Sequence, residues 1–235
     1  MSLSYFMNWS SGKDAALALY YLSQSPDHRC QTLLTSISSQ YQRVSMHGLR
    51  RELLEAQVQA LDLPLKIIEL PQDASMEDYD RILKETVGDL QSEGAQAAAF
   101  GDIFLEDLRS YRENQLKTAG IQALFPLWKK DTTELIHNFV ELGFEALVLC
   151  LNETKLPPEF LGRTIDLDFL KELPKYVDPC GENGEFHTFC YKGPIFHRAV
   201  DFKIGTKTRR TYPNPQNASQ EIGFWFLDLL PNGYE

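Results

Sequence analysis

The chain has 235 residues, of which 43% are hydrophobic and 24% charged, a length and composition typical of a globular protein with a substantial core. Its formal net charge of -10 argues against nucleic-acid binding through the overall field, because phosphate backbones need a clustered basic surface. No run approaches the roughly 18 consecutive apolar residues of a membrane-spanning helix, so we expect no membrane partner.

Strand-like apolar runs alternate with amphipathic helical patterns as far as residue 150. The predicted elements are strand 3–9, helix 14–22, strand 31–38, helix 49–61, strand 65–70, helix 76–93, strand 95–100, helix 105–119, strand 121–127, helix 131–142 and strand 144–150. This alternation predicts an α/β fold in which a parallel sheet is flanked by helices on both faces.

Beyond residue 151 the alternation ends, because prolines interrupt the pattern and the strand-like runs 199–204 and 222–229 occur without regular helices. We therefore predict an α/β domain at residues 1–150 and a smaller α+β region at residues 151–235. The N-terminus shows no positive residue before a short apolar run and no small-residue cleavage site. It predicts no secretory signal and a cytoplasmic location.

The turn between the first strand and the first helix is the most informative segment. It reads Ser10-Ser11-Gly12-Lys13-Asp14 and lies where open parallel sheets bind phosphate. Gly12 permits close backbone approach, outward N–H groups at the helix start favour an anion, and hydroxyls and Lys13 add donors. The segment matches neither the Walker nor the dinucleotide-binding pattern. The alternative is an ordinary turn with Asp14 as helix N-cap.

The segment resembles the S-G-G-x-D-S signature of PP-loop (N-type) ATP pyrophosphatases, a group that includes argininosuccinate synthetase, GMP synthetase and tRNA-modifying enzymes. Within this group the chain is similar to the diphthine–ammonia ligase family and its bacterial relatives. The matching motifs are WSSGKD at 9–14, MHG at 46–48, FGDI at 100–103 with Arg112, PLW at 126–128 and PCGENGEFHT at 179–188. The resemblance implies a five-stranded parallel sheet and cleavage of Mg-ATP between the α- and β-phosphates.

Two positions depart from the signature: Ser11 stands where it has glycine, and Ala15 where it closes with serine. A serine makes a positive φ costly, and the alanine removes one hydroxyl from the phosphate cradle. These departures predict slower turnover than in relatives. They also keep open a second hypothesis, a nucleotide sensor without catalysis.

Further nucleotide-site residues follow two predicted strands. Gly101 and Asp102 end a buried strand at the sheet edge that carries the phosphate loop, so we predict that Asp14 and Asp102 place Mg²⁺. The alternative is that Asp102 caps the next helix. Arg112 is predicted to contact ribose, phosphate or a substrate carboxylate, with a surface ion pair as the alternative. His47 could contact adenine or phosphate, or neighbour a helix cap.

The segment 181–188 combines glycines and carboxylates, a composition typical of a ligand-binding loop. By the resemblance, Glu182 and Glu185 line the acceptor site, where carboxylates can hold ammonium, a substrate cation or magnesium. The same site is predicted to include Gly181, Asn183, Gly184, His187 and Thr188, with Trp128 as a pocket wall unless it is a core tryptophan. His187 could also act as a general base.

The four cysteines, Cys30, Cys150, Cys180 and Cys190, form neither a CxxC pair nor a disulfide framework, so we predict that all are reduced. A zinc site of Cys180, His187 and Cys190 is the weaker alternative, because it lacks a fourth ligand.

The predicted reaction is attack of a carboxylate on the α-phosphate of ATP, followed by displacement of AMP by ammonia or another amine. In this hypothesis Ser10, Ser11, Gly12 and Lys13 hold the pyrophosphate, and Lys13, Asp14, Asp102, Glu182 and Glu185 are catalytic. The resemblance implies elongation factor 2 as the acceptor in an archaeal or eukaryotic source and another carboxylate in a bacterial one. A homodimer is left open. The acidic charge and the missing CxxC pair disfavour tRNA thiolation.

Overall fold

Two β-sheets organise the protein in a computed structural model that describes residues 2–71, 74–214 and 217–233. The first sheet contains β1 (Leu3–Asn8), β2 (His28–Ser38), β3 (Arg43–Val44), β4 (Leu65–Leu70), β5 (Ala97–Ala99) and β6 (Gln122–Leu124). The second contains β7 (Glu145–Asn152), β8 (Phe186–Lys192), β9 (Phe202–Asn214) and β10 (Asn217–Pro231). The α-helices are α1 (Lys13–Ser23), α2 (Arg51–Leu61), α3 (Met76–Ser92), α4 (Glu106–Lys117), α5 (Thr132–Glu141) and α6 (Leu167–Glu172), with a 3-10 turn at Pro158–Phe160.

Five strands of the first sheet are parallel and lie in the order β4-β2-β1-β5-β6. The predicted five-stranded parallel sheet is therefore confirmed. The order reverses at β1, so the ends of β1 and β5 lie side by side, the position at which such sheets bind ligands. The short β3 pairs antiparallel with the end of β2, and its two residues are too few to give a strand signal in the sequence.

The helices cover both faces of the first sheet because successive side chains of β1 point to opposite sides. Tyr5 and Met7 are buried in one core with residues of α1 and α2, whereas Phe6 is buried in another with residues of α3 and α4. The first of these cores continues without a break into the second sheet, where Leu149 of β7 and Phe189 of β8 belong to it. The core that contains Tyr5 and Met7 thus joins the two sheets.

The second sheet is antiparallel, in the order β8-β7-β10-β9. The predicted strand 144–150 exists as β7, but its assignment to the first sheet is wrong, because β7 pairs only with β8 and β10 among the described strands. Part of the predicted loop at 181–188 is also a strand, since β8 begins at Phe186. The division of the chain at residue 150 stays a prediction.

Two further sequence-based expectations concern the whole described part of the chain. All four cysteines carry free thiols, which confirms their prediction as reduced. Within the described ranges, no helix has the length and apolar character needed to cross a membrane.

Candidate functional site

The segment 10–14 forms the turn from β1 into α1. Gly12 is the N-cap of α1, with φ -88° and ψ 175°, and no side chain caps the helix, so Asp14 does not have the capping role. Ser11 is fully buried and has φ 68°, in the left-handed region that favours glycine. For a serine this conformation costs about 1–2 kcal/mol. The sequence therefore identified the strained position correctly.

Strand β8 of the second sheet crosses the turn and holds it by hydrogen bonds. The Ser11 carbonyl accepts from the Cys190 amide at 2.9 Å and from Gln57 Nε2 at 3.0 Å. The Lys13 amide donates to Thr188 Oγ1 at 3.0 Å. The expectation that the N–H groups at the helix start all point outward is wrong for Lys13, because β8 brings a hydroxyl acceptor to that amide. Thr188 still has its own hydroxyl proton to donate.

The Lys13 side chain points inward, and its ammonium is 2.8 Å from Asp14 Oδ2 and also donates to the Cys180 carbonyl. Burial, the largest single effect, would lower the pKa of Lys13, but the combined attraction of Asp14, Cys180 and Glu182 outweighs it and raises the pKa. Burial raises the pKa of Asp14, and Lys13 offsets only part of this shift. The Lys13 side chain is 3% exposed and that of Asp14 31%, so the carboxylate forms the solvent-facing end of the pair.

Gly101 and Asp102 follow β5 and lie against the start of α1. A Cβ atom on Gly101 would be only 2.8 Å from the Asp14 carbonyl carbon, so the absence of a side chain permits this contact. Asp102 forms an ion pair with Arg112, with 2.6 Å between Oδ2 and Nε. Burial raises the pKa of Asp102, Arg112 opposes this shift, and repulsion from Asp14 adds to it. The two carboxylates predicted to place Mg²⁺ are therefore close enough to interact.

The alternative roles of Asp102 as a helix cap and of Arg112 in a surface ion pair are not observed among the described residues. α4 has Leu105 as its N-cap with no side-chain cap, so Asp102 does not cap it. Arg112 pairs with Asp102 rather than with a glutamate of its own helix, and its guanidinium lies 4.4 Å from the centroid of the Phe100 ring.

Glu182 connects the segment 181–188 to the loop after β5. Its Oε1 accepts from the Ile103 amide at 2.8 Å and from the Phe104 amide at 3.4 Å. Burial raises the pKa of Glu182 to about 7, although the two amide hydrogen bonds lower it and Asp14 raises it further. A carboxyl group with this pKa exchanges a proton at neutral pH, which is the property required of a general acid or base.

Glu185 is more deeply placed than Glu182, with an exposure of 2%. Its Oε1 accepts from the Asp178 amide at 3.2 Å and from Asn183 Nδ2 at 3.3 Å, whereas Oε2 has no hydrogen-bond partner among the described residues. The turn preceding it requires glycine at Gly181, where φ is 71° and a Cβ would be 2.9 Å from the Phe186 carbonyl oxygen.

His47 and His187 lie together beside the phosphate loop, with ring centroids 4.7 Å apart. His47 Nδ1 is 3.1 Å from the Thr188 carbonyl oxygen, which can only accept, so Nδ1 carries the proton. A Cβ on Gly12 would be 2.9 Å from His47 Cε1, which puts this ring next to the turn. Burial lowers the pKa of His47 to about 3 and that of His187 to about 4, so both rings are neutral at pH 7.

The fold thus brings together the turn at residues 10–14, the Gly101–Asp102 pair, His47, Glu182 and Thr188. The Trp128 ring is half-buried and stacks on the Arg109 guanidinium at 4.5 Å and near Phe125 at 5.8 Å. His47 does not directly follow the second strand as predicted, because β3 intervenes.

A cavity of about 830 Å³ opens next to these residues, and the sequence reasoning missed it. It lies between the β2–β3 region and the β9–β10 hairpin, and Asn183, Gly184 and His187 are among its lining residues. The signal in the sequence is the alternation of apolar residues at 222, 224 and 226, which predicts a strand but not the surface that the strand faces.

Comparisons with known proteins identify the family of this chain. The family model described as "Diphthamide synthase N-terminal domain" matches residues 4–123, more than half of the chain, and "Diphthamide synthase C-terminal domain" matches residues 131–216. The chain is 27% identical over 176 residues to the diphthine–ammonia ligase of Homo sapiens, covering 69% of this chain and 65% of that protein.

A fungal diphthine–ammonia ligase also matches part of the chain. Identity to the diphthine–ammonia ligase of Schizosaccharomyces pombe is 29% over 128 residues, covering 53% of this chain and 21% of that protein. The similarity therefore spans less than two thirds of the curated relatives' length. Among solved structures, the U34-tRNA thiolase NcsA from Methanococcus maripaludis with its [4Fe-4S] cluster aligns with TM-score 0.37 and 17% identity, covering 60% of this chain and 57% of that one.

Proposed function

The chain belongs to the diphthamide synthase family, and from this premise we propose that it is an ATP-dependent ligase that forms AMP and pyrophosphate while amidating a carboxylate. The observation that supports this proposal most is the turn at Gly12, with Lys13 and Asp14 at the start of α1 and Asp102 beside it. The turn lies at the carboxyl end of β1, where the strand order reverses.

In the first half-reaction, a carboxylate oxygen of the acceptor attacks the α-phosphorus of ATP and the bond to the β-phosphate oxygen breaks. The hydroxyls of Ser10 and Thr188 and the amides around Gly12 donate to the departing pyrophosphate. Lys13, buried and protonated, adds a fixed positive charge behind the turn. Such fixed donors stabilise charge without reorganisation as it develops.

Magnesium fits the residues present, because Asp14 and Asp102 are neighbouring carboxylates and Mg²⁺ usually binds one or two carboxylates together with substrate phosphates. When bound, it would supply charge neutralisation to the phosphates. Each carboxylate is already paired with a cation, Asp14 with Lys13 and Asp102 with Arg112. These pairs hold the two carboxylates in place.

In the second half-reaction, the nitrogen of ammonia attacks the acyl carbon, the bond from that carbon to the AMP oxygen breaks, and the nitrogen loses one proton. Glu182 accepts this proton, because its pKa of about 7 lets it be ionised before the step and protonated after it. Glu185, whose buried Oε2 has no hydrogen-bond partner among the described residues, attracts the ammonium ion, which releases one proton to solvent and so becomes the attacking ammonia.

The test is product analysis together with isotope exchange. ATP incubated with the protein, ammonium and a carboxylate acceptor should give AMP and pyrophosphate, and labelled pyrophosphate should exchange into ATP when the acceptor is present. Formation of ADP and phosphate would reject the proposal. Asp102→Asn serves as the inactive variant, and Asp168→Asn, at an exposed position on α6, as the control.

A second candidate function is nucleotide sensing without turnover. Two observations favour it: the strained φ of Ser11 and the use of the Lys13 amide by Thr188. Calorimetry with a non-hydrolysable ATP analogue should show binding in both cases. Pyrophosphate exchange distinguishes them, since a sensor leaves the label out of ATP under every acceptor condition.

A further inference from the structure

One face of the β9–β10 hairpin forms a wall of the 830 Å³ cavity. Residues that share a face alternate along each strand. Three cross-strand pairs of this face line the cavity: Tyr212 with Ile222, Arg210 with Phe224, and Thr208 with Phe226. The opposite face carries Arg209 and Trp225, which are paired with each other across the strands. The hairpin therefore presents a distinct surface to the cavity.

The cavity surface is largely aromatic. The Tyr212 ring lies 5.8 Å from the Phe224 ring and 6.5 Å from the Phe226 ring, both in edge-on arrangements. Tyr41 and Met46 complete the apolar part from the opposite side, and they are 49% and 72% exposed. Exposed aromatic side chains that converge on one concave space are typical of a site for a flat or apolar group.

The charges of the cavity are predominantly positive. Asp228 is held by two guanidiniums, Arg43 at 2.8 Å and Arg50 at 2.7 Å. Arg210 adds another: its guanidinium lies 5.4 Å from the Tyr41 ring, and no carboxylate of the described residues is within ion-pair distance. In a chain with a net charge of -10, this surface is suited to an anion.

The cavity also adjoins the phosphate loop. His187 lines it and lies 4.7 Å from His47, which in turn is next to Gly12. The His187 and His47 rings therefore connect a molecule in this part of the cavity to the turn at which ATP is proposed to bind.

Resting on the ligase function proposed above, we propose that this cavity holds the acceptor, a carboxylate joined to a flat or apolar body. The aromatic side chains contact the body, and Arg210 attracts the carboxylate into the cavity. Arg43 connects the hairpin to the segment that follows β3, because its Nη1 donates to the Gly48 carbonyl at 2.7 Å.

The experiment measures binding of phenylacetate to the full chain by ligand-observed NMR and calorimetry, with phenylacetamide and phenethylamine as neutral and cationic counterparts. Phenylacetate should bind, and the other two at least about tenfold more weakly, because each lacks the charge-assisted hydrogen bond to arginine. Arg210→Gln should weaken phenylacetate binding by about tenfold or more. Arg209→Gln, on the opposite face of the same strand, should leave it within about twofold.

Equal binding of the three probes, or equal effects of the two arginine variants, would overturn the proposal. Displacement of phenylacetate by the ATP analogue would also overturn it, since the cavity would then be a nucleotide pocket. Phe224→Leu retains apolar volume and should lower affinity while leaving the fold intact. Because none of these measurements needs turnover, bound phenylacetate with ADP as the product would refute the ligase proposal alone. Acceptor-dependent pyrophosphate exchange unaffected by Arg210→Gln would refute the cavity proposal alone.

Discussion

Substitution of Gly101 by alanine tests whether close packing of the loop after β5 against α1 sets the geometry of the site. The new Cβ would lie 2.8 Å from the Asp14 carbonyl carbon, 2.9 Å from the Ala15 nitrogen and 3.1 Å from the Asp14 carbonyl oxygen. Carbon atoms in good contact are about 3.5–4.0 Å apart, so the backbone must separate by about 0.7 Å or more. Gly101 does not have a positive φ, so the effect of the substitution is steric rather than conformational.

Separating the loop after β5 from α1 lowers the stability of the fold. Overpacking of this kind costs about 1–3 kcal/mol, and loss of the hydrogen bond from the Lys13 amide to Thr188 adds about 1 kcal/mol. We therefore expect Gly101→Ala to lower the free energy of unfolding by about 2–4 kcal/mol. Affinity for the ATP analogue should fall as well, because Asp102 moves away from Asp14.

The assay is urea unfolding followed by circular dichroism, with calorimetry for nucleotide binding. Gly88→Ala in α3 is the matched control, because apart from the chain neighbours and the adjacent backbone of α3 no atom of the described residues lies within 4 Å of the added Cβ. Alanine should stabilise this exposed helical position by about 0.5–1 kcal/mol. The two substitutions are thus expected to have opposite signs. Stability of Gly101→Ala equal to that of the parent would refute the packing argument, as would destabilisation of both variants by the same amount.

Three further predictions concern ionisable groups. Lys13→Met leaves the Asp14 carboxylate without its partner, so it should lower the free energy of unfolding by about 3 kcal/mol and abolish AMP formation. Lys171→Met removes a lysine from an exposed ion pair and should lower the free energy of unfolding by less than about 1 kcal/mol. Equal losses of stability for the two variants in urea unfolding would contradict this prediction. Burial raises the pKa of Glu182 from 4.5 to about 7, so between these pH values the folded protein retains a proton that the unfolded chain has lost. This group therefore makes the free energy of unfolding fall as pH rises from 4.5 to about 7. Glu182→Gln should remove this contribution to the pH dependence of stability, and an unchanged pH dependence in the variant would disprove the shift. Burial lowers the pKa of His47 from 6.5 to about 3, so this group makes the free energy of unfolding rise with pH between about 3 and 6.5. His47→Gln should reduce this rise when urea unfolding is measured at several pH values. An equally steep rise in the variant would contradict the lowered pKa.

The sequence predicted the first sheet well because its signals are local. Each helix of the βα alternation was placed within a few residues. The strain at Ser11 followed from the resemblance, because a serine stands where the signature has glycine. Strand pairing is not local, and β7 was therefore assigned to the wrong sheet. In β8, the buried Thr188 and Cys190 follow a glycine-rich turn, and the composition of that turn concealed the strand.

Prediction of the site from the sequence was limited for the same reason, because contacts between distant residues are not local. The sequence identified Asp102 and Arg112 but gave no reason to pair them, because the two residues are ten positions apart on a loop and a helix. The cavity required knowledge that the β9–β10 hairpin faces the β2–β3 region, which is a property of tertiary structure alone. Glu182 was predicted as an acceptor-site residue, but its raised pKa depends on burial that composition does not reveal.

The hydrogen bond from the Cys190 amide to the Ser11 carbonyl has a consequence for biosynthesis. The two residues are far apart in the sequence, and contacts of such separation form late because the intervening chain must first be ordered. A nascent chain that has reached only the end of β6 already contains the entire turn, yet it lacks the strand that fixes its shape. Competence to hold a nucleotide should therefore arise in one step, once β8 has been translated and lies against the turn, rather than growing as each strand is added.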